Sequence, residues 1–430
     1  MRVGLTVGTA VAMMLIGTAP ATAAPDPAIH DATDAGDPVV VRLGPGSDPD
    51  AAAGEAAARG ARIRFVYHDV FPGYAAVLPP GGLRGVEGGP DVVTVEPDAP
   101  VHVRDGMPGT ALRAAPWGLD RVDQRALPLS GTYTPPATDR AGAGVTAYVI
   151  DSGIAGGHHD LGGRVRSGFS AIDDGRGTRD CAGHGTHVAG TIGGAEYGVA
   201  PSVSLVAVRT LDCEGGGETS GVIAGIDWAA RDHRTGTPAV ANLSLSGPAG
   251  ENVDAAIRGL IDDGVTVAVA AGNEDEDACD SSPAREPAAL TVAASDRDDR
   301  RASFSNRGSC VDLFAPGVDI VSDWYTGDTA TDELSGTSMA APHVAGAAAL
   351  LLGADPGLSP AQVANRLLGS ATADVVGAHR DTADRLLYVG PPAGTDVPPS
   401  TPAPVVVSAG SAMVGAEVSL DVRVGASPTG

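Results

Sequence analysis

The sequence lacks lysine entirely, and only 3% of its 430 residues are aromatic. Its 28 basic side chains are therefore all arginines. They face 53 Asp and Glu residues, which gives a formal net charge of −25. A charge of this size and sign argues against nucleic acid or an anionic membrane as a partner. Because aromatic residues are few and glycine occurs 60 times, we expect a core of Val, Ala, Leu and Ile connected by many tight turns.

Long apolar runs are also scarce, and the one at the N-terminus predicts a signal peptide. Arg2 precedes an apolar run over residues 3–19, and residues 21–23 (Ala-Thr-Ala) provide a small-residue cleavage site. This order of features is typical of secretory signals. A membrane anchor is the alternative, but prolines follow the run at once and no flanking charge would stop transfer. We therefore expect residues 1–24 to be removed and the protein to be secreted.

Cysteine is scarce too, with four residues in the chain. No two of them are separated by only two residues, so a zinc knuckle is not indicated. In an exported protein an even number of cysteines favours disulfides, and four cysteines permit three pairings. The residues themselves leave all three pairings open for Cys181, Cys213, Cys279 and Cys310.

Two regions of different pattern follow the predicted signal. The first, at residues 25–110, is a small α+β unit with strands expected at 39–43, 63–67, 74–78 and 92–96 and a helix at 50–59. From residue 145 onwards, apolar strands alternate with helices, which predicts a mostly parallel α/β sheet with helices on both faces. We expect its strands at 145–150, 203–210, 239–244, 265–271 and 290–294, and its helices at 219–233, 252–263, 337–352 and 359–368.

The C-terminal forty residues differ again in composition. Residues 391–404 are rich in proline, which is typical of a linker. Residues 405–430 contain two strand-like runs but are too few for an independent β domain. This extension either packs on a neighbour, is removed, or begins a further β domain.

Three segments each present a residue suited to acyl transfer. Asp151 closes an apolar strand, His184 stands where a helix begins, and Ser338 lies at the head of a helix after a Gly-Thr turn. A serine hydroxyl needs a base to take its proton, and that base needs an anionic group to hold its tautomer. Ser338, His184 and Asp151 would meet these needs in that order. The alternative for Ser338 is an ordinary N-capping serine before a packed helix.

Asn273 is a fourth candidate, because it follows Ala-Ala-Gly at the end of a predicted strand. Its side-chain amide can donate a hydrogen bond to an oxyanion, and loss of one such donor costs a factor of about 10²–10³ in turnover. The alternative is a turn asparagine after glycine.

Three motifs together resemble the active-site motifs of subtilisin-like serine proteases. They are residues 149–153 (Val-Ile-Asp-Ser-Gly), 184–190 (His-Gly-Thr-His-Val-Ala-Gly) and 336–346 (Gly-Thr-Ser-Met-Ala-Ala-Pro-His-Val-Ala-Gly). The similarity extends over roughly residues 116–389 and is closest to the proteinase K and aqualysin branch. It implies a subtilisin-like peptidase domain over residues 111–390 that needs no cofactor for catalysis.

The resemblance also implies roles for individual residues. Asp151, His184 and Ser338 would form the catalytic triad, and Asn273 with the Ser338 backbone N–H would form the oxyanion hole. His187, His343 and Ser335 would be structural. A peptide substrate would lie as an added strand between two segments of the enzyme, one containing Gly215, Gly216 and Gly217 and the other Ser244, Leu245 and Ser246. Ser246 stands where this branch more usually has glycine.

Residues 25–110 resemble the inhibitory propeptide of these proteases, a small ferredoxin-like α+β domain that the enzyme removes from itself. The cut would fall within residues 103–114. The aqualysin-like pattern implies disulfides Cys181–Cys213 and Cys279–Cys310. It also implies structural Ca²⁺, held at one site by Asp312 with the backbone oxygens of Pro287 and Ala289, and at a second by Asp120, Asp123 and Gln124.

The sequence therefore favours a secreted serine endopeptidase that is made as a self-processed zymogen, forms an acyl-enzyme on Ser338 and acts as a monomer. Its partners would be polypeptide substrates and its own propeptide, with neither nucleic acid nor a membrane. Two alternatives remain. One is a catalytically inactive relative that binds peptides, and the other is an esterase that uses the same triad.

Overall fold

The computed structural model describes residues 36–103, 116–136, 141–378 and 380–390. The predicted signal peptide, the Pro-rich linker and the C-terminal extension lie outside these ranges, as does nearly all of the stretch in which a propeptide cut is expected.

The first folded unit is a four-stranded antiparallel sheet with two helices. Its strands lie in the order β2-β3-β1-β4, which is the ferredoxin-like arrangement of a βαββαβ chain. Helix α1 begins where the Asp48 carboxylate accepts the Ala51 N–H at 3.1 Å, and Pro49 occupies its first position. The elements are β1 (Asp37–Leu43), α1 (Pro49–Ala58), β2 (Arg62–Tyr67), β3 (Gly73–Leu78), α2 (Leu83–Glu87) and β4 (Val92–Pro97).

A nine-stranded sheet forms the centre of the second unit, in the order β18-β19-β15-β14-β12-β10-β6-β8-β7. All neighbouring strands are parallel except β18 and β19, which confirms the mostly parallel α/β fold. Its strands are β6 (Thr146–Asp151), β7 (Val165–Ser170), β8 (Ser204–Arg209), β10 (Ala239–Leu243), β12 (Thr266–Ala270), β14 (Leu290–Ser295), β15 (Leu313–Pro316), β18 (Thr372–Ala373) and β19 (Arg385–Leu386).

Helices cover both faces of this sheet, so its central strands are buried on both sides. Along β6, Ala147 and Val149 belong to the core that contains α4 and α7, whereas Tyr148 and Ile150 belong to the opposite core, which contains α5 and α6. The helices of the second unit are α3 (Trp117–Val122), α4 (His184–Gly193), α5 (Thr219–Asp232), α6 (Glu251–Asp262), α7 (Thr337–Ala354) and α8 (Pro360–Ser370).

Helix α7 is apolar on every side, which is typical of a helix buried in a core. By length and composition alone it could cross a membrane, but 83% of it is buried inside the fold. It contacts α4, β10, β12, β14 and β15, and this packing fixes the position of its first turn relative to the ends of the parallel strands.

Three two-stranded sheets complete the described fold, and one of them joins the two units. In that sheet, β5 from the first unit pairs antiparallel with β9 from the second. The strands are β5 (Pro100–His102) with β9 (Gly216–Glu218), β11 (Gly247–Pro248) with β13 (Ser281–Ser282), and β16 (Ile320–Asp323) with β17 (Thr331–Leu334).

Each strand and helix predicted above is confirmed within two residues at either end. The predictions missed several short or half-exposed elements, including α2, α3, β7 and β15. Strand β7 has no fully buried residue and β15 is only four residues long, so neither carries an apolar pattern of useful length.

Candidate active site

Asp151 is the last residue of β6, at the carboxyl edge of the parallel sheet, and it is fully buried. Its Oδ1 accepts a hydrogen bond from the Ser152 backbone N–H at 2.7 Å and lies 2.7 Å from His184 Nδ1. Because a carboxylate only accepts, Nδ1 carries the proton of a neutral His184 and Nε2 is left as the basic nitrogen.

His184 is the first residue of α4, and a buried carboxylate organises the turn before it. Asp180 Oδ1 accepts the backbone N–H groups of Ala182 and Gly183, and its Oδ2 accepts the Thr186 N–H. Asp180 Oδ1 also accepts the Ser152 hydroxyl at 2.9 Å, which links the turn to the strand end that carries Asp151. Sequence reasoning missed Asp180, although an Asp shortly before a helix start is a capping signal.

Ser338 is the second residue of α7 and is 3% exposed. Helix α7 packs against α4, so the first turns that carry Ser338 and His184 belong to neighbouring helices. The Ser338 hydroxyl donates to the Ser244 carbonyl oxygen at 3.3 Å. The N-cap residue of α7 is Gly336, and no side chain caps the helix there. The alternative of an N-capping Ser338 is therefore wrong, although the residue does lie at the positive end of the helix.

Asn273 lies just beyond the end of β12, and its amide orientation is fixed by Thr337. The Asn273 side-chain oxygen accepts both the Thr337 backbone N–H at 2.8 Å and the Thr337 hydroxyl at 2.9 Å. An atom that accepts a backbone N–H must be the amide oxygen, so the amide NH₂ is directed away from Thr337. This is the orientation that an oxyanion donor requires.

The three residues expected to be structural, His187, His343 and Ser335, are buried and hydrogen-bonded within the fold. Burial lowers the pKa of His187 to about 3 and that of His343 to about 4, so both are neutral near pH 7. His187 Nε2 bonds the Ile320 carbonyl oxygen, and His343 Nδ1 bonds that of Met339. The Ser335 hydroxyl accepts the Asp319 N–H at 2.8 Å.

The expected substrate strands enclose a segment of the chain itself. His102 exchanges two backbone hydrogen bonds of 3.1 Å with Ser246, and Val103 N–H donates to the Gly215 carbonyl oxygen at 3.1 Å. On the other side, β5 pairs with Gly216 and Gly217 of β9. The structure thus brings together Gly215–Gly217 and the Ser244–Ser246 segment, with an extended peptide between them and Ser338 beside Ser244.

The first unit also supplies the missing caps of two helices in the second. Neither α5 nor α6 has a side-chain N-cap of its own. Glu96 accepts the first two backbone N–H groups of α6, at 2.8 and 3.0 Å, and Asp98 accepts the Ser220 N–H of α5 at 2.8 Å. Carboxylates at helix N-termini are favourable both as hydrogen-bond acceptors and for the helix dipole.

Both implied disulfides are present in the structure, Cys181–Cys213 and Cys279–Cys310. The first joins the turn before His184 to the loop before Gly215–Gly217. The Arg209 guanidinium is fully buried against it and forms a two-point ion pair with Asp174 at 2.8 and 2.7 Å.

The expected metal ligands lie in two places. Asp312 Oδ2 accepts the Thr291 N–H at 2.8 Å, beside the turn that contains Pro287 and Ala289, and burial raises the pKa of Asp312.

Around the loop at 124–134, Asp120 accepts the Gly131 N–H at 2.7 Å and Asp123 accepts the Thr134 N–H at 2.8 Å. Gln124 Oε1 accepts the Ser130 N–H at 3.0 Å in the same loop. Burial and the neighbouring Asp120 charge raise the pKa of Asp123 to about 6, and a cation there would relieve that repulsion. Both donor sets are oxygen-only, which suits Ca²⁺.

A serine at a helix start, on a helix packed against the one that carries a buried His–Asp pair, together with an oriented amide, is the arrangement of the serine hydrolases. Comparison with known proteins gives the family. Residues 142–389 match the subtilase family, and residues 43–104 match the peptidase inhibitor I9 family. The chain belongs to the subtilase family and is a serine protease that is made with an inhibitory N-terminal segment.

Named relatives agree with this assignment. The chain is 51% identical over 330 residues to an extracellular serine proteinase of Thermus sp. (strain Rt41A), covering 76% of the chain and 78% of the relative. It is 45% identical over 332 residues to alkaline serine exoprotease A of Vibrio alginolyticus, covering 76% and 60%. The crystal structure of a cold adapted subtilisin-like serine proteinase matches with a TM-score of 0.61 and 50% identity, covering 64% of the chain and 99% of that structure.

Proposed function

We propose that Ser338 is the nucleophile of a secreted endopeptidase, with His184 as its base, Asp151 as the group that orients the base, and Asn273 as an oxyanion donor. The observation that carries this proposal is the peptide strand of residues 100–103, which pairs with enzyme strands on both sides next to Ser338. An extended polypeptide is therefore the substrate that this cleft fits.

The reaction follows from the arrangement. Ser338 Oγ attacks the peptide carbonyl carbon while His184 Nε2 accepts the hydroxyl proton, and the electron pair of the C=O bond moves to oxygen. The Asn273 amide and the Ser338 backbone N–H stabilise that oxyanion. Collapse breaks the C–N bond, and His184 donates its proton to the leaving amine. Water then attacks the ester on Ser338 by the same sequence, which releases the acid and restores the hydroxyl.

The test is casein hydrolysis by the secreted protein, with and without a serine-directed phosphonate, beside the Ser338→Ala variant. We expect the phosphonate and the substitution each to abolish cleavage. A correctly matured protein that cleaves esters but no peptide would favour the esterase, and one that cleaves neither would favour an inactive peptide-binding protein. Ser338→Ala should also keep its N-terminal segment attached, whereas normal processing would mean that another protease performs the maturation.

We propose the following organisation for the whole chain: signal peptide at 1–24, inhibitory segment at 25–110, peptidase domain at 111–390, linker at 391–404 and extension at 405–430. The names of the relatives support an extracellular location. We also propose that the mature enzyme is a monomer that needs neither nucleic acid nor a membrane. N-terminal sequencing and the intact mass of the secreted product test the boundaries at both ends, and its mass in solution tests the monomer.

We propose that Ca²⁺ binds the two oxygen-only sites and serves stability alone. Asp312 with Pro287 and Ala289 would hold one ion, and Asp120, Asp123 and Gln124 the other. A chelator should lower the melting temperature of the phosphonate-inhibited enzyme, and added Ca²⁺ should restore it. Asp312→Asn should reduce that calcium-dependent rise, while a melting temperature that is indifferent to the chelator would contradict both sites.

A further inference from the structure

A cavity of about 300 Å³ adjoins Ser338 on the side of the cleft next to Asn273. Buried Leu245 and Ala270 line it, together with half-buried Ser246 and the backbone turn at Gly272. The enzyme strand that pairs with the peptide therefore also forms one wall of the cavity. A side chain of the substrate residue whose carbonyl meets Ser338 is the group that such a cavity would receive.

Four exposed residues on the wall of this cavity carry carboxylates: Glu274, Glu276, Asp277 and Asp280. Glu274 accepts the Asn273 N–H and the Asn306 amide, and Asp277 accepts the Cys279 N–H. Within the part of the chain that the structure describes, Glu276 and Asp280 have exposed side chains and form no ion pair with an arginine.

Nearby cations do not neutralise this wall. Arg301 and Arg307 both pair with Asp275, which is not among the residues that line the cavity. The lining residues include no arginine, and their one ionisable base is His102, which belongs to the inhibitory segment. The mature cavity is therefore lined by four acidic groups and no basic one.

The strand register indicates which substrate residue meets the cavity. His102 is paired with Ser246 in antiparallel fashion. A substrate that keeps this register places the second residue after the His102 position opposite Ser244, whose carbonyl oxygen accepts the Ser338 hydroxyl. In the chain's own sequence, the second residue after His102 is Arg104, which lies outside the described residues.

We propose, on the basis of the function proposed above, that this cavity selects substrates with arginine or lysine on the carbonyl side of the scissile bond. The buried apolar part, with Leu245 and Ala270, would contact the aliphatic stem, and the carboxylates at Glu276 and Asp280 would face the charged end. Single-sign charge in a cleft attracts the opposite charge and repels acidic side chains.

The test compares peptide p-nitroanilides that differ only in the residue before the cleaved bond: arginine, leucine or glutamate. The concentration of mature enzyme is set by titration with a serine-directed phosphonate, so that only folded active sites are counted. We expect kcat/KM for arginine to exceed that for leucine by about tenfold or more at low salt. The excess should shrink in about 1 M salt, where the screening length is about 3 Å.

The double variant Glu276→Gln/Asp280→Asn should lower the arginine-to-leucine ratio by about tenfold, through the arginine substrate. Asp262→Asn, an exposed carboxylate at the end of α6, is the matched control and should leave the ratio unchanged. Equal or faster cleavage after leucine, or a ratio unaffected by the double variant, would overturn the preference while leaving the peptidase intact. Failure to cleave any of the three substrates would instead contradict the proposed function itself.

Discussion

At the scale of single residues, the proposed chemistry depends on groups whose orientation is imposed by one neighbour each. Asp151 fixes the tautomer of His184, and Thr337 fixes the amide of Asn273. Thr337 immediately precedes Ser338, so one backbone turn orients the proposed oxyanion donor and carries the proposed nucleophile. Small errors in this turn would therefore affect attack and charge stabilisation together.

Asn273→Ala should lower kcat by a factor of about 10²–10³ with little change in KM, because the amide is needed most when charge develops on the carbonyl oxygen. Thr337→Val removes only the hydroxyl that holds the amide oxygen, so a smaller loss of kcat is expected. Steady-state kinetics with one peptide substrate measures both. A rise in KM at constant kcat would assign Asn273 to substrate binding instead.

A second residue-scale effect concerns Asp323, a fully buried carboxyl on β16. Burial and the nearby Asp160 raise its pKa to about 8, Glu196 adds to the rise, and Arg164 opposes it. His158 Nδ1 lies 3.3 Å from its Oδ1. The folded state therefore binds this proton more tightly than the unfolded state, and the resulting stability is complete below about pH 4 and lost as pH rises through 8.

Asp323→Asn removes that titration, because the amide stays neutral in a site that disfavours charge. The melting temperature of the variant minus that of the wild type should increase as the pH rises from 5 to about 9. Calorimetry of the phosphonate-inhibited proteins over this range measures the difference. Asp328→Asn changes an exposed carboxylate nearby in sequence and should give a melting-temperature difference from the wild type that does not vary with pH. If the difference for Asp323→Asn is also independent of pH, the titration of Asp323 does not affect stability.

At the scale of elements, the two disulfides close loops of nearly equal length but hold different structures. Cys181–Cys213 spans 32 residues and joins the loops of α4 and β9, whereas Cys279–Cys310 spans 31 and lies beyond β12. In the loop-entropy model each should contribute about 3–4 kcal/mol to the free energy of unfolding. Their similar loop lengths make each pair a control for the other.

Replacing either pair by serine should lower stability by a comparable amount, about 3–4 kcal/mol. The Cys181→Ser/Cys213→Ser variant should also raise KM for every peptide substrate, because it frees the loop before the glycines that pair with the proposed substrate. Cys279 lies between the cavity residues Asp277 and Asp280, so Cys279→Ser/Cys310→Ser should change mainly the arginine-to-leucine ratio. Denaturant unfolding of the inhibited proteins and peptide kinetics measure the two effects. If both variants change KM equally, the bridge near His184 has no special role in positioning that strand.

At the scale of the whole molecule, buried and repetitive features were predictable from the sequence, and features made by distant partners were not. The central strands were predicted because both faces are apolar, and the triad candidates because local motifs mark strand and helix ends. Asp180 was missed because the groups that donate hydrogen bonds to its carboxylate come from two separate segments, one with Ser152 and one with Thr186. The caps of α5 and α6 could not be predicted from local sequence, because the capping residues are distant in the chain. Glu96 and Glu251, whose N–H it accepts at the start of α6, are 155 residues apart.

The missed caps are contacts that should strengthen binding of the inhibitory segment beyond what its strand in the cleft contributes. Glu96 and Asp98 satisfy N–H groups of α6 and α5, and Arg64 pairs with both Asp98 and Glu218. Losing a helix cap typically costs about 1 kcal/mol, so losing two should weaken inhibition about thirtyfold.

The inhibition constant of the separately produced segment against mature enzyme tests this expectation. Glu96→Ala/Asp98→Ala should raise the constant by about thirtyfold, because alanine removes the acceptors of both caps. Glu87→Gln, an exposed residue on the far helix α2, should leave it unchanged. Circular dichroism of each segment separates a lost contact from a lost fold. If the double variant is folded and inhibits as well as the wild type, the strand in the cleft and the apolar packing of Tyr67 and Phe71 against α5 and α6 hold the segment, and the carboxylates do no more than replace water at the helix ends.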